Sequence, residues 1–68
     1  MPKRYSSTLI ISILRAAGFV QISQRGSHIK LKRDDRVVIV PAGRKELRPG
    51  TLASIVRQSG LTKSDFEA

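Results

Sequence analysis

Sixty-eight residues leave room for one small domain with a thin core. That size excludes large enzymes with deep substrate cavities. The absence of cysteine excludes disulfides, thiolate catalysis, zinc ribbons and iron–sulfur clusters. Thirteen Lys and Arg against five Asp and Glu give a formal net charge of +8, which calls for a polyanionic partner. Nucleic acid comes first, with an anionic membrane or an acidic protein as alternatives. The longest apolar run is Val37–Val40, so neither a membrane-spanning helix nor a signal-peptide core is expected. A cytoplasmic location is the default expectation. The chain reads as a single domain over 1–68, with 1–5 a basic lead-in.

Ser6 or Ser7 can cap a helix whose apolar stripe is Leu9, Ile10, Ile13, Leu14 and Ala17, followed by Gly18 as a left-handed stop. The spacing predicts a helix over roughly 7–17. Two alternating runs follow, 19–25 and 28–32, separated by Gly26-Ser27, which is a two-residue hairpin signal. Counting outward from that turn pairs Arg25 with His28, Gln24 with Ile29, Ser23 with Lys30, Ile22 with Leu31 and Gln21 with Lys32. One face then collects Arg25, His28, Ser23, Lys30, Gln21 and Lys32. The other collects Ile29, Ile22, Leu31 and Val20, with Gln24 the misfit.

Asp34-Asp35 turns the chain into Val37–Val40. Val38 and Val40 pair with Leu31 and Ile29 on the apolar face, and Val37 and Ile39 lie beside Lys32 and Lys30 on the polar one. Pro41 ends the strand. Residues 41–48 form a loop with Arg44, Lys45 and Arg48. Pro49-Gly50-Thr51 opens a second helix with a stripe of Leu52, Ile55 and Val56, stopped by Gly60. Thr62-Lys63-Ser64-Asp65 fits a capping box for one last short turn. The expected fold is α+β: a helix, three antiparallel strands and a helix, with the helices on one sheet face and the basic face open. The core is expected to be aliphatic, with three aromatic residues in the chain.

The open face carries the chemistry. His28 stands among Arg25, Lys30 and Lys32. Histidine exchanges protons near neutral pH, and cations draw phosphate oxygens to it. The combination suits ribonuclease chemistry without metal: a base takes the 2′-hydroxyl proton, the oxygen attacks phosphorus, and a cation stabilises the added negative charge. The plain alternative is a solvated histidine at a hairpin end. Arg44, Lys45 and Arg48 read first as loop charges. Gly50-Thr51 offers helix N-terminal amides to a phosphate. Carboxylates are scattered, so neither an acid pair nor a metal site is expected, and no cofactor.

Gly26-Ser27-His28, Val38-Ile39-Val40-Pro41, Glu46-Leu47-Arg48-Pro49-Gly50-Thr51-Leu52 and Gly60-Leu61, with Ala17-Gly18-Phe19 before them, resemble the HicA toxin family over about 6–66. The resemblance implies a double-stranded-RNA-binding-domain-like fold, an mRNA-cleaving endoribonuclease activity and a HicB-type antitoxin partner. It places the catalytic histidine on His28. Many relatives carry a further histidine after the Val-Pro strand end, where this chain has Ala42-Gly43-Arg44. The proton donor to the leaving oxygen is therefore Lys30, Arg44 or water. The site expected is His28 as base, with Arg25, Ser27, Lys30, Lys32, Arg44 and Lys45 on RNA. The alternatives are a non-catalytic RNA-binding module of the same fold and a basic protein that only holds a protein partner. Val37 and Ile39 beside the lysines form a mixed patch suited to an acidic antitoxin with an apolar centre.

Overall fold

The computed structural model describes residues 4–67; of the expected lead-in, residues 1–3 lie outside the described residues. The element order is α1 (Ser7–Ala16), β1 (Val20–Arg25), β2 (His28–Arg33), β3 (Arg36–Pro41), α2 (Pro49–Ser59) and α3 (Lys63–Glu67). The strands form one antiparallel sheet in the order β1-β2-β3. The fold is α+β, in the arrangement of a double-stranded-RNA-binding domain with a short third helix added.

Local chemistry starts and stops each helix. The Ser6 hydroxyl accepts the Leu9 N–H at 3.1 Å and caps α1. Pro49 sits in the first turn of α2. Gly60 ends α2 at φ +70°, where a Cβ would collide with the Arg36 guanidinium. Thr62 and Asp65 form the capping box of α3: the Asp65 carboxylate accepts the Thr62 N–H at 2.8 Å and its hydroxyl at 2.9 Å. Those two bonds hold the Asp65 carboxyl below its usual range.

The core lies between the helices and one face of β2 and β3. Ile29, Leu31, Val38 and Val40 meet Ile10 and Leu14 of α1, Ile55 of α2 and Phe66 of α3 in one buried cluster. All three aromatic residues are buried there, so the core is not purely aliphatic. Tyr5, counted with the lead-in from the sequence, is a core residue. Its hydroxyl donates to the Phe66 carbonyl at 3.0 Å, and its own carbonyl accepts the Leu47 N–H at 2.8 Å.

The β2–β3 register is the expected one, with Leu31 opposite Val38 and Ile29 opposite Val40. The β1–β2 register is as expected from Arg25 to Ser23 and then breaks. Gln21, not Ile22, stands opposite Leu31, and Val20 stands opposite Lys32. Ile22 is the extra residue of a β-bulge. One inserted residue exchanges the faces of everything beyond it. Val20 therefore joins Lys32 on the open face and is 63% exposed, while Ile22 is 52% exposed; neither belongs to the apolar face.

The physical reason is Phe19, whose ring is only 2% exposed. Its N–H bonds the Leu14 carbonyl at the end of α1, and the Arg33 guanidinium lies 5.4 Å from the ring centroid. In a flat ladder, Phe19 would fall on the open face. The bulge turns the largest apolar side chain of the segment inward, and the two exposed aliphatic residues cost less than an exposed ring.

The two register readings differ in a measurable way. Leu31→Ala should destabilise the domain by about 2–5 kcal/mol, as a fully buried leucine does. Ile22→Ala should change stability by under about 1 kcal/mol, because no core contact is lost. Urea midpoints at constant m-value measure both; a large loss for Ile22→Ala would restore the flat pairing.

Candidate nucleic-acid interface

Period-two geometry builds the open face. With Ile29 and Leu31 buried, His28, Lys30 and Lys32 must point to solvent, and all three are exposed. The register sorts the face into rows. Arg25, His28 and Pro41 form the first, Ser23, Lys30 and Ile39 the second, and Val20, Lys32 and Val37 the third. No Asp or Glu occurs in any of the three strands. Asp34 and Asp35 lie in the β2–β3 turn, at the end of β2 away from His28, between Arg33 and Arg36.

His28 is the first residue of β2, directly after the turn. Gly26 takes φ +56° in that turn, with nothing within 4 Å of a Cβ built on it, so its conformation and not crowding calls for glycine. The Gln24 amide donates to the Gly26 carbonyl at 3.1 Å. The Ser27 carbonyl accepts the Ala42 N–H at 2.6 Å, which ties the hairpin tip to the loop after β3. The tip that presents His28 is thus bonded on both sides.

Ser7 fixes that loop from the other end. Its side chain is buried, and its hydroxyl donates to the Pro41 carbonyl at 2.5 Å and accepts the Arg44 N–H at 3.0 Å. The Ser7 N–H donates in turn to the Arg44 carbonyl at 2.9 Å. Pro41 is the cross-strand partner of His28. One serine on α1 therefore sets the path of the chain from the His28 row to Arg44. Ser6 is the helix cap, so the adjacent serines divide two tasks the sequence left open between them.

The structure brings Arg25, His28, Lys30 and Lys32 onto one face, with Ser27 at its tip and Arg44 beyond its Pro41 edge. Lys45 is exposed in the same loop. Val37 is 40% exposed, whereas Ile39 is half-buried, its N–H bonded to the Gln58 side chain at 3.1 Å. A hollow of about 390 Å³ adjoins this face, lined by Pro41, Arg44, Glu46, Leu47, Arg48 and Thr51. Sequence reading left Arg48 among ordinary loop charges and gave Ser7 no role beyond capping. Pro49 was the available signal for Arg48, since it marks the residue before it as the one preceding a helix. Among the described residues, no three His, Asp or Glu side chains converge as a metal site would require. Among them also, no helix is long and apolar enough to cross a membrane.

A small α+β domain with one cationic, histidine-bearing sheet face is the class that fold and site define. Residues 9–61 match the family model described as the HicA toxin of bacterial toxin–antitoxin systems, and the chain belongs to that family. Membership makes the protein a toxin component and implies an antitoxin partner. No curated protein matches the chain significantly.

The Ser7 arrangement has a local readout. Ser7→Ala removes the acceptor of the Arg44 N–H, so hydrogen exchange at the Arg44 amide should accelerate by about tenfold or more, with a stability loss of about 1–3 kcal/mol. Unchanged protection at Arg44 would mean that the loop is held by other contacts.

Proposed function

We propose that the protein is an endoribonuclease that cleaves mRNA with His28 as general base. The observation that carries this reading is the position of His28, exposed at the start of β2 beside Arg25 on a sheet face whose strands contain no carboxylate. The neutral imidazole takes the proton of an RNA 2′-hydroxyl. The 2′-oxygen attacks the adjacent phosphorus, and the bond from phosphorus to the 5′-oxygen breaks. The products are a 2′,3′-cyclic phosphate and a 5′-hydroxyl. Arg25 and Lys30, nearest to His28 in the register, stabilise the charge that builds on the phosphoryl oxygens, and Lys32 extends the binding face. Ser27, Arg44 and Lys45 contact the strand around the tip. Arginine stays protonated, so the proton that reaches the leaving oxygen comes from Lys30 or water. The site is the cytoplasmic mRNA pool.

A HicB-type antitoxin would inhibit by covering this face. It would bring negative charge to Lys30 and Lys32 and an apolar contact to Val37 and Val20, which lie on either side of Lys32. The competing reading, an RNA-binding module that does not cut, draws on the same fold and the same charge.

His28→Ala should lower the cleavage rate by about 10²–10⁴-fold while leaving the unfolding midpoint in place. Cleavage should continue in chelator and stop when the 2′-hydroxyl at the cut linkage is replaced by hydrogen. A variant that still cuts at the wild-type rate would remove the base assignment. Wild-type protein that binds RNA and never cuts it would leave the binding-module reading.

RNA affinity should fall steeply with salt, because each lysine or arginine on a phosphate releases condensed counterions. Binding isotherms from low to physiological salt measure the slope, and Lys30→Glu with Lys32→Glu should flatten it. A salt-independent affinity would exclude the cationic face as the RNA-binding surface.

A further inference from the structure

The hollow beyond Pro41 takes no part in the proton transfer just described. Pro41 is the cross-strand partner of His28 and also lines the hollow, so the hollow begins one strand away from the imidazole. Leu47 is buried at its base, with its N–H bonded to the Tyr5 carbonyl. Arg44 and Arg48 are exposed at its walls. The side chain of Arg48 makes no cap bond at the start of α2, and the first turn of α2 contains no acidic residue. Glu46 is the one carboxylate on the lining, and Arg4 lies 3.6 Å from it. Two arginines outweigh a carboxylate that already has its own cation. The backbone of Arg44 is fixed by Ser7 on both its N–H and its carbonyl, so that wall is built and not a floating charge.

We propose that this hollow is a second phosphate subsite, which holds a backbone phosphate of the same RNA strand next to the cleaved linkage. The assignment rests on the reading of His28 as the cleavage base. The hollow and its two guanidinium groups carry it, and the first-turn amides of α2 add to the positive field. Guanidinium binds phosphate through paired N–H donors in a fixed plane, which a concave wall can aim. A phosphate held here aligns the strand across the His28 row. Binding energy from a part of the substrate that does not react then positions the 2′-oxygen for attack. The continuity with the His28 row favours an RNA phosphate over a free anion or the acidic side chain of a protein partner.

The test uses an RNA whose cut site has been mapped with the wild-type protein. Neutral methylphosphonates replace its flanking phosphates one at a time. One position should lower kcat/KM of the wild type by about ten- to a hundredfold. Arg44→Gln and Arg48→Gln should lower kcat/KM on the all-phosphate RNA and lose little more at that position. Arg15→Gln, an exposed arginine on α1, should behave as wild type at every position. Unfolding midpoints should be unchanged for all three variants. Cleavage with additive losses at every position, or with no effect of Arg44→Gln and Arg48→Gln, would overturn the subsite and leave the His28 reading intact. A separate arm titrates uncleavable RNA, 2′-deoxy at the cut linkage, and follows the Gly50 and Thr51 amide resonances. A wild-type protein that binds RNA and never cuts it would reject the catalytic reading and, with it, a subsite defined by the cleaved linkage. Shifts with inorganic phosphate but not with RNA would overturn the subsite as one for RNA.

Discussion

Alternation along β2 is the constraint on which the rest of the molecule depends. Ile29 and Leu31 are buried against α1, α2 and α3, and a strand cannot bury one set of side chains without presenting the other. His28, Lys30 and Lys32 are exposed for that reason and need no contact of their own to hold them there. The hydrophobic core therefore aims the cationic face. Any change that slipped β2 by one residue would bury three titratable side chains, His28, Lys30 and Lys32, and expose two apolar ones, Ile29 and Leu31, at a cost beyond what a domain of this size can absorb. Core and interface are two faces of one six-residue strand.

This coupling also explains what was legible in the sequence. The β2–β3 pairing followed from alternation alone, since both strands have one clean apolar face between a tight turn and a proline. His28 beside Arg25 followed from counting outward from Gly26-Ser27. The first half of β1 was not legible by the same rule. Alternation in Val20-Gln21-Ile22 reads as a buried face, but the helices pack on β2 and β3 and leave β1 uncovered. Burial of Phe19 then decides the path, and it is set by the end of α1 and by Arg33 across the sheet. A contact at that sequence separation leaves no trace in a local pattern. The role of Ser7 was hidden for a similar reason. Two serines before an apolar stripe look equivalent as caps, and only the fold shows which of them faces Pro41 and Arg44.

The loop between β3 and α2 would be the natural place for disorder in so small a protein, with Gly43 and four charged residues in sequence around it. It is instead pinned at the Ser27 carbonyl, at Ser7 and at the Tyr5 carbonyl. Each anchor is a backbone polar group satisfied near the core edge, where an unmade bond would be expensive. These bonds hold the arginine-bearing segment against the sheet edge without using any arginine head group. The guanidinium groups of Arg44 and Arg48 stay available because the backbone, not the charge, does the holding.

In the proposed function, charge sets the balance between RNA and an antitoxin. Self-repulsion among thirteen cations with five anions works against a compact state whose core is thin. Any polyanion that binds the folded form relieves that repulsion and stabilises it by mass action. On the proposed reading, RNA along the open face would do so, and an antitoxin that brings carboxylates to the same lysines would do so as well. The two would then compete for one field, so each would have to displace the other's charge as well as its shape. An antitoxin that also covers Val20 and Val37 gains an apolar contact that RNA phosphates cannot make. The bulge, forced by Phe19, is what adds Val20 to that patch. On the proposed reading, a packing requirement at the end of α1 thus supplies the feature by which a protein partner would outcompete the nucleic acid.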